Sequence, residues 1–274
     1  MPDQRAPMAF ATVGLLLFAT TVMAQTRLQS HRDLDWEAPR RWVHVDNVVP
    51  QKAALFERAR LEWLSVLQTG DSLLGDGRPL FWYANGNRLH TYFTFYPFRT
   101  WPDLDARAKM VEATNNVVGK DALERYNTGD SGLVSPHYSQ IWRRSNDDDI
   151  VWSGTDQLSE LTAAVGRLDV HMPNLQQSDT IDSLWKEIKT ALVAQKYPLA
   201  CRAYDSIYGR GQNMMLWLAP DSTAYRKAPS IESALKQQFG QQKGGAMFTK
   251  FREVFPIEES YEIRRRADLS NLGR

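Results

Sequence analysis

Two histidines carry the first hint of chemistry in this chain. His44 stands in the run Trp42-Val43-His44-Val45-Asp46-Asn47-Val48, and His171 in Leu168-Asp169-Val170-His171-Met172. Both runs alternate as strands do, so successive side chains point to opposite faces. Val43 and Val45 oppose Trp42, His44 and Asp46; Leu168, Val170 and Met172 oppose Asp169 and His171. In the run from Leu89 to Phe98, Leu89, Phe93 and Phe95 oppose His90, Tyr92, Thr94 and Tyr96, while Cys201 and Ala203 later oppose Arg202, Tyr204 and Tyr208. One face of each strand is thus apolar, and the other carries rings, imidazoles and a guanidinium. Apolar faces call for helices over them, so the mixed faces are expected to meet each other or to line a cleft. The functional expectation is a small-molecule pocket lined by His44, His90, Tyr92, Tyr96, His171, Arg202 and Tyr204. The structural one is a filled interior in which these polar tips pair among themselves.

Other chemistries find less support. His44, His90 and His171 could supply three imidazoles to zinc or copper. None of them lies in a His-x-x-His or Glu-x-x-His pair, His137 follows Pro136 in a loop, and His31 sits in an N-terminal leader. No metal site is expected, and no cofactor is assigned. The contiguous run Asp147-Asp148-Asp149 lacks the spaced positions of a calcium loop and reads as solvated linker. There is no Gly-x-Ser-x-Gly elbow, no phosphate-cradling glycine loop and no Cys-His pair. Cys201 is the lone cysteine, so no intrachain disulfide forms, and its apolar-alternating setting makes it a small buried hydrophobe. Arg264, Arg265 and Arg266 alternate to both faces of a strand, with one placed to enter the interior towards an anionic ligand or Asp169.

The elements that must position these residues follow in a regular order. Of 274 residues, 43% are hydrophobic and 24% charged, which suits a folded chain with a sizeable core, and 33 basic against 32 acidic side chains give no global field towards nucleic acid. Arg5, an apolar run from Ala9 to Val22 and Val22-Met23-Ala24 read as a signal peptide over residues 1–24, cut before Gln25. The mature chain is then expected in the periplasm or outside the cell, with no membrane anchor left. Residues 25–41 form a polar leader.

From Trp42 the pattern predicts a strand, a helix over 51–68, and a hairpin through Leu80–Ala84, Asn85-Gly86 and Leu89–Phe98. A helix over 104–118, a short one at 122–126 and a strand over 138–144 complete this half. The second half repeats the order: a strand at 168–172, a helix from Asp179 or Thr180 to Gln195, and strands at 199–208 and 213–219 around Gly209-Arg210-Gly211. A helix opened by Ser230 and interrupted at Gly244-Gly245 then leads to a strand over 261–266. The division is 42–144 and 167–274, joined by a linker over 145–166 that holds a short helix at 158–165. Val43-His44 against Val170-His171, Leu55-Phe56 against Leu184-Trp185, and Ile141-Trp142-Arg143-Arg144 against Ile263-Arg264-Arg265-Arg266 echo each other in the same order, which suggests internal duplication.

A doubled β-α-β-β-α-β chain with a C-terminal Tyr261-Glu262-Ile263-Arg264 strand resembles the dimeric α/β-barrel superfamily, which includes antibiotic-biosynthesis-monooxygenase-like and NIPSNAP-like proteins. The resemblance implies an α+β fold of two tandem ferredoxin-like repeats packed sheet to sheet as a single-chain α/β barrel. In that superfamily pockets lie between each sheet and its helices, and some hold haem or an aromatic polyketide. No haem ligand or catalytic residue of the superfamily maps onto this chain. The readings left open are an exported protein binding a small hydrophobic or aromatic ligand, a cofactor-free or haem-dependent monooxygenase-like enzyme, and a structural interaction protein.

Overall fold

The computed structural model describes residues 37–69, 80–86, 88–118, 120–121, 134–208 and 212–270. The signal peptide, most of the leader and the short helix expected at 122–126 lie outside the described residues.

The first half runs through strand β1 (Arg40–Val48), helix α1 (Ala53–Thr69), strands β2 (Leu80–Asn85) and β3 (His90–Phe98), helix α2 (Trp101–Val118) and strand β4 (Val134–Arg144). The second runs through β5 (Val165–His171), α3 (Ser178–Ala194), β6 (Ala200–Tyr208), β7 (Asn213–Ala219), the helices α4 (Ser222–Lys227), α5 (Ile231–Phe239) and α6 (Gln241–Val254), and β8 (Ile257–Arg265). Every ladder is antiparallel, and the strands close into one barrel in the order β1-β3-β2-β8-β5-β7-β6-β4. The order β4-β1-β3-β2 in one half matches β8-β5-β7-β6 in the other, and the seams are β2 against β8 and β4 against β6. Among the described residues closure leaves no strand at a sheet edge.

The two faces of the strands are used in the opposite sense to the expectation. Val43, Val45, Trp82, Phe93, Phe95, Trp142, Leu168, Val170, Leu216 and Ile263 belong to a cluster fed by all eight strands, so the apolar faces line the barrel interior. The mixed faces lie outside, under the helices. Tyr92 packs with Phe56 of α1, Tyr96 with Leu104 of α2, and the outer face of β5, β6 and β7 with Trp185 and Phe251 of α3 and α6. The physical reason is dryness. A closed barrel excludes water from its lumen more completely than a helix layer whose edges stay wet, so the greasier face turns inward.

Arg202 and Tyr204 are the exception among the candidate residues, because on β6 they face the lumen. There they meet the linker. Segment 145–164 has no helix at 158–165; it runs through turns and places Leu158 and Ala163 in the interior cluster, closing one mouth of the barrel. Asp149, expected to be solvated, is buried: its Oδ2 accepts from Arg144 Nη2 at 2.7 Å and Arg202 Nη1 at 3.0 Å, and its Oδ1 from the Ala203 amide at 2.9 Å. Glu160 Oε1 accepts from Arg41 Nε at 2.8 Å and from the Tyr204 hydroxyl at 2.5 Å. Burial alone would raise the Glu160 carboxyl, but Arg41 overcomes it and holds the group below its usual range; burial beside Glu160 pushes Tyr204 well up.

Candidate functional site: a cavity between sheet and helices

A cavity of about 620 Å³ lies between the outer face of the second half's sheet and its helices. Strand alternation supplies its floor. Arg167, Asp169 and His171 leave β5 on the helix side, opposite Leu168 and Val170, and Met215 and Trp217 leave β7 on the same side. Helix α3 adds Trp185, α4 adds Tyr225 and Arg226, and α6 adds Phe248, Phe251 and Arg252. Helix α3 puts Ile181, Trp185, Ile188 and Leu192 on one face at helical spacing, which seats it on the sheet and fixes the Trp185 ring. Asp221 caps α4 through the amides of Thr223 and Ala224, which anchors the short helix carrying Tyr225 and Arg226.

His171 is the most constrained polar group in this wall. It is 2% exposed, and its ring stacks on Phe255 with centroids 4.2 Å apart and planes at 10°. Its Nδ1 lies 3.0 Å from the Phe255 carbonyl oxygen. A carbonyl can only accept, so Nδ1 carries the hydrogen and Nε2 keeps its lone pair. Among the described residues Nε2 has no hydrogen-bond partner, and neither has the buried indole Nε1 of Trp217 in the same wall. Burial holds the imidazole down to about 4, against the opposing pull of the Phe255 carbonyl and Asp169, so the ring is neutral at neutral pH.

The remaining polar atoms are tied down. Asp169 accepts from Ser260 Oγ at 2.6 Å and from Arg167 Nε at 2.9 Å. This replaces the partner expected from Arg264 to Arg266; Arg266 instead pairs with Glu57 and Asp268. The Arg167 guanidinium lies 5.8 Å over the Trp217 ring. Tyr197 donates its hydroxyl to the Pro229 carbonyl at 2.6 Å and packs edge-on against Trp217, and burial pushes its phenol up to about 12. Arg226 and Arg252 are exposed at the rim. The arrangement offers aromatic walls and two exposed guanidinium groups at the rim, with Arg167 held by Asp169 and one acceptor and one donor buried behind the wall. A smaller cavity of about 180 Å³ adjoins it and shares Trp185, Met215 and Phe251, while a surface depression of about 720 Å³ along α3 is walled by Asp147, Asp182, Lys186 and Lys189.

The structure distributes the seven sequence candidates over three places. His171 alone lines the large cavity. Arg202 and Tyr204 sit inside the barrel mouth. His44, His90, Tyr92 and Tyr96 lie on the outer face of the first half, where the His90 ring pairs with the Tyr83 hydroxyl at 3.1 Å, Tyr92 donates to Glu57 at 2.8 Å, and Arg107 covers the Tyr96 ring at 4.1 Å. They do not form one pocket. Trp217, Tyr225 and Phe251 join the wall without a motif that marks them; Trp217 alone of the three carries a signal in the sequence, as an indole N–H inside the all-apolar strand Met214–Ala219.

No family model and no curated protein matches the sequence. Among solved structures the chain is similar to a candidate monooxygenase of Fusobacterium nucleatum at 9% identity, TM-score 0.49, over 83% of this chain and 92% of that one. An anthrone oxidase-like protein matches at 12% identity, TM-score 0.47, over 85% and 93%, and a haem-binding protein of Thermus thermophilus at 10%, TM-score 0.44, over 85% and 93%.

Proposed function

We propose that this protein binds a planar aromatic small molecule carrying an anionic group in the cavity between β5, β7 and helices α3 to α6. One observation carries the reading: the rings of Trp185, Phe251 and Tyr225 wall a cavity of about 620 Å³, and directly behind that wall two buried polar atoms, His171 Nε2 and Trp217 Nε1, have no hydrogen-bond partner among the described residues. An unmet buried polar atom costs about 1–3 kcal/mol, and a bound molecule that draws these side chains towards it and pairs them recovers that cost. Trp185, Phe251 and Tyr225 provide faces for a ring, and Arg167, Arg226 and Arg252 provide charge for a carboxylate. Binding is favoured over proton transfer, because an imidazole at about 4 is a weak base at neutral pH and a general base works best near the operating pH.

The same imidazole supports a second reading. A neutral histidine whose Nδ1–H is fixed by a carbonyl has the donor chemistry of a haem-iron ligand, and the rim arginines would suit propionates, so His171, once its ring turned Nε2 to the cavity, with Arg226 and Arg252 would hold that group. Titration of the purified protein with a naphthoic acid and, separately, with haemin tests both. Saturable quenching of tryptophan fluorescence by the naphthoate, weakened about tenfold or more in His171→Ala, supports the first reading. A Soret band lost in His171→Ala supports the second. Absence of saturable binding by either compound removes the site.

We also infer that residues 42–144 and 167–274 are copies of one ferredoxin-like unit, supported by the matching strand orders and by His44 and His171 on the same, outer face of the matching strands β1 and β5. Co-expressed halves divided within 145–166 are expected to reassemble; failure to do so would remove this division. Export with cleavage before Gln25 is part of the same proposal, and N-terminal sequencing of the protein from a periplasmic extract tests it.

A further inference from the structure

A second constellation lies on the other half of the molecule, on the outer face of β1 and β4. The antiparallel register sets Asp46 opposite His137 and His44 opposite Ser139. His44 and Asp46 are two residues apart and share a face, so the four side chains form a square of neighbours across the two strands. Donor atoms of His44, Asp46 and His137 all lie within 4.8 Å of one another. We propose that His44, Asp46 and His137 bind a first-row divalent transition-metal cation of the Zn²⁺ class.

The geometry suits such an ion. His44 Nε2 and Asp46 Oδ1 are 3.0 Å apart. Two ligands at zinc distances on a tetrahedral ion stand about 3.3 Å apart, so the cation needs only a small widening of this pair. Bound through the Nε2 lone pair, the neutral ring leaves no hydrogen between Nε2 and Oδ1 and carries its one hydrogen on Nδ1. That nitrogen is 2.8 Å from Ser139 Oγ, which then accepts and orients the imidazole as metal-bound histidines require. The Trp42 ring, stacked on His44 at 5.5 Å and 9°, holds the imidazole plane.

Two imidazoles and one carboxylate select zinc, copper or nickel over magnesium and calcium, which want oxygen. His137 is exposed and the His44 side chain 23% exposed, so the ion has a path from solvent. Three protein ligands leave a position for water, the pattern of catalytic rather than structural zinc sites. Arg60 approaches Asp46 through Oδ2 at 4.0 Å, which leaves Oδ1 to the ion.

Equilibrium dialysis and calorimetry of the whole chain with ZnCl₂ and MgCl₂ test the site. One Zn²⁺ per chain is expected, with no magnesium uptake. His137→Gln, at an exposed position, is expected to keep the thermal transition of the metal-free protein and to weaken Zn²⁺ at least about tenfold, with Ser139→Ala weakening it about tenfold through orientation. Cobalt as a probe should give visible bands that His137→Gln removes. Failure of the wild-type chain to take up Zn²⁺, or unchanged stoichiometric uptake and cobalt bands in His137→Gln, overturns the assignment.

Discussion

The hydrogen bond from His171 Nδ1 to the Phe255 carbonyl fixes the tautomer, and burial fixes the charge. The two together make a stability prediction. A histidine that titrates near 6.5 when unfolded and about 4 when folded leaves the unfolded chain holding more protons between those values. Stability from this group is therefore fully present above pH 6.5 and is lost as pH falls towards 4, by up to about 3 kcal/mol. Urea denaturation from pH 7 to pH 4 should show this slope in the wild type and a shallower one in His171→Phe; parallel curves would mean that burial does not hold the imidazole neutral. Strand alternation was enough to place His44 and His171 on equivalent faces. It could not bring His137 to His44, because that meeting depends on the register of two strands far apart in the chain. Pro136 points to a loop around His137, whereas β4 begins at Val134 and carries it into the ladder.

Helices α5 and α6 show how an element's boundary can be misplaced by composition alone. The pair Gly244-Gly245 looks like the break, yet the chain turns at Gly240, with φ 86° and ψ 159°, a region that almost only glycine occupies. Gly244 lies inside α6 and is needed for closeness: a Cβ there would stand 2.4 Å from the Leu235 carbonyl oxygen on α5. The two glycines should therefore fail differently when changed to alanine. Gly240→Ala has open space around it and should cost about 1–3 kcal/mol of backbone strain, leaving the cavity unaltered. Gly244→Ala forces the helices apart, should cost about 1–3 kcal/mol through overpacking, and should also weaken ligand binding, because Ile231 on α5 and Phe251 on α6 both wall the cavity. Thermal melts give the first comparison and fluorescence titration the second; equal binding in the two variants would refute the link between this helix pair and the cavity. The run 165–171 offers a parallel case. Its strand begins at Val165 rather than Leu168, and Gly166 lets β7 approach so closely that a Cβ would meet the Trp217 carbonyl oxygen at 2.3 Å.

At the scale of the whole molecule, closure of the barrel decides which face is core, and it also decides what the linker is for. Element order was legible because periodicity and turn residues are local; the inversion of the two faces was not, since it arises only when β2 meets β8 and β4 meets β6. With the lumen sealed, polar groups at its mouth must be satisfied internally, and the linker supplies their partners. Arg41 and Glu160 are both buried, and Arg144 and Arg202 share the buried Asp149. Removing one charge from such a pair leaves the other uncompensated, at about 3–5 kcal/mol, whereas removing a neutral donor to a charged acceptor costs about 1.5–3 kcal/mol. Glu160→Gln keeps the shape but takes the carboxylate from the buried Arg41–Glu160 pair, so it should destabilise the barrel by about 3–5 kcal/mol, and Asp149→Asn should do the same by taking the carboxylate that Arg202 faces, while Arg144 keeps Glu37. Tyr204→Phe removes only the hydroxyl donated to Glu160 and should cost about 1.5–3 kcal/mol. Denaturant titration of the three variants gives the ranking. If Glu160→Gln proved no more damaging than Tyr204→Phe, Glu160 would not be compensating a dry guanidinium, and segment 145–164 would be a tether between the halves instead of the plug that seals them.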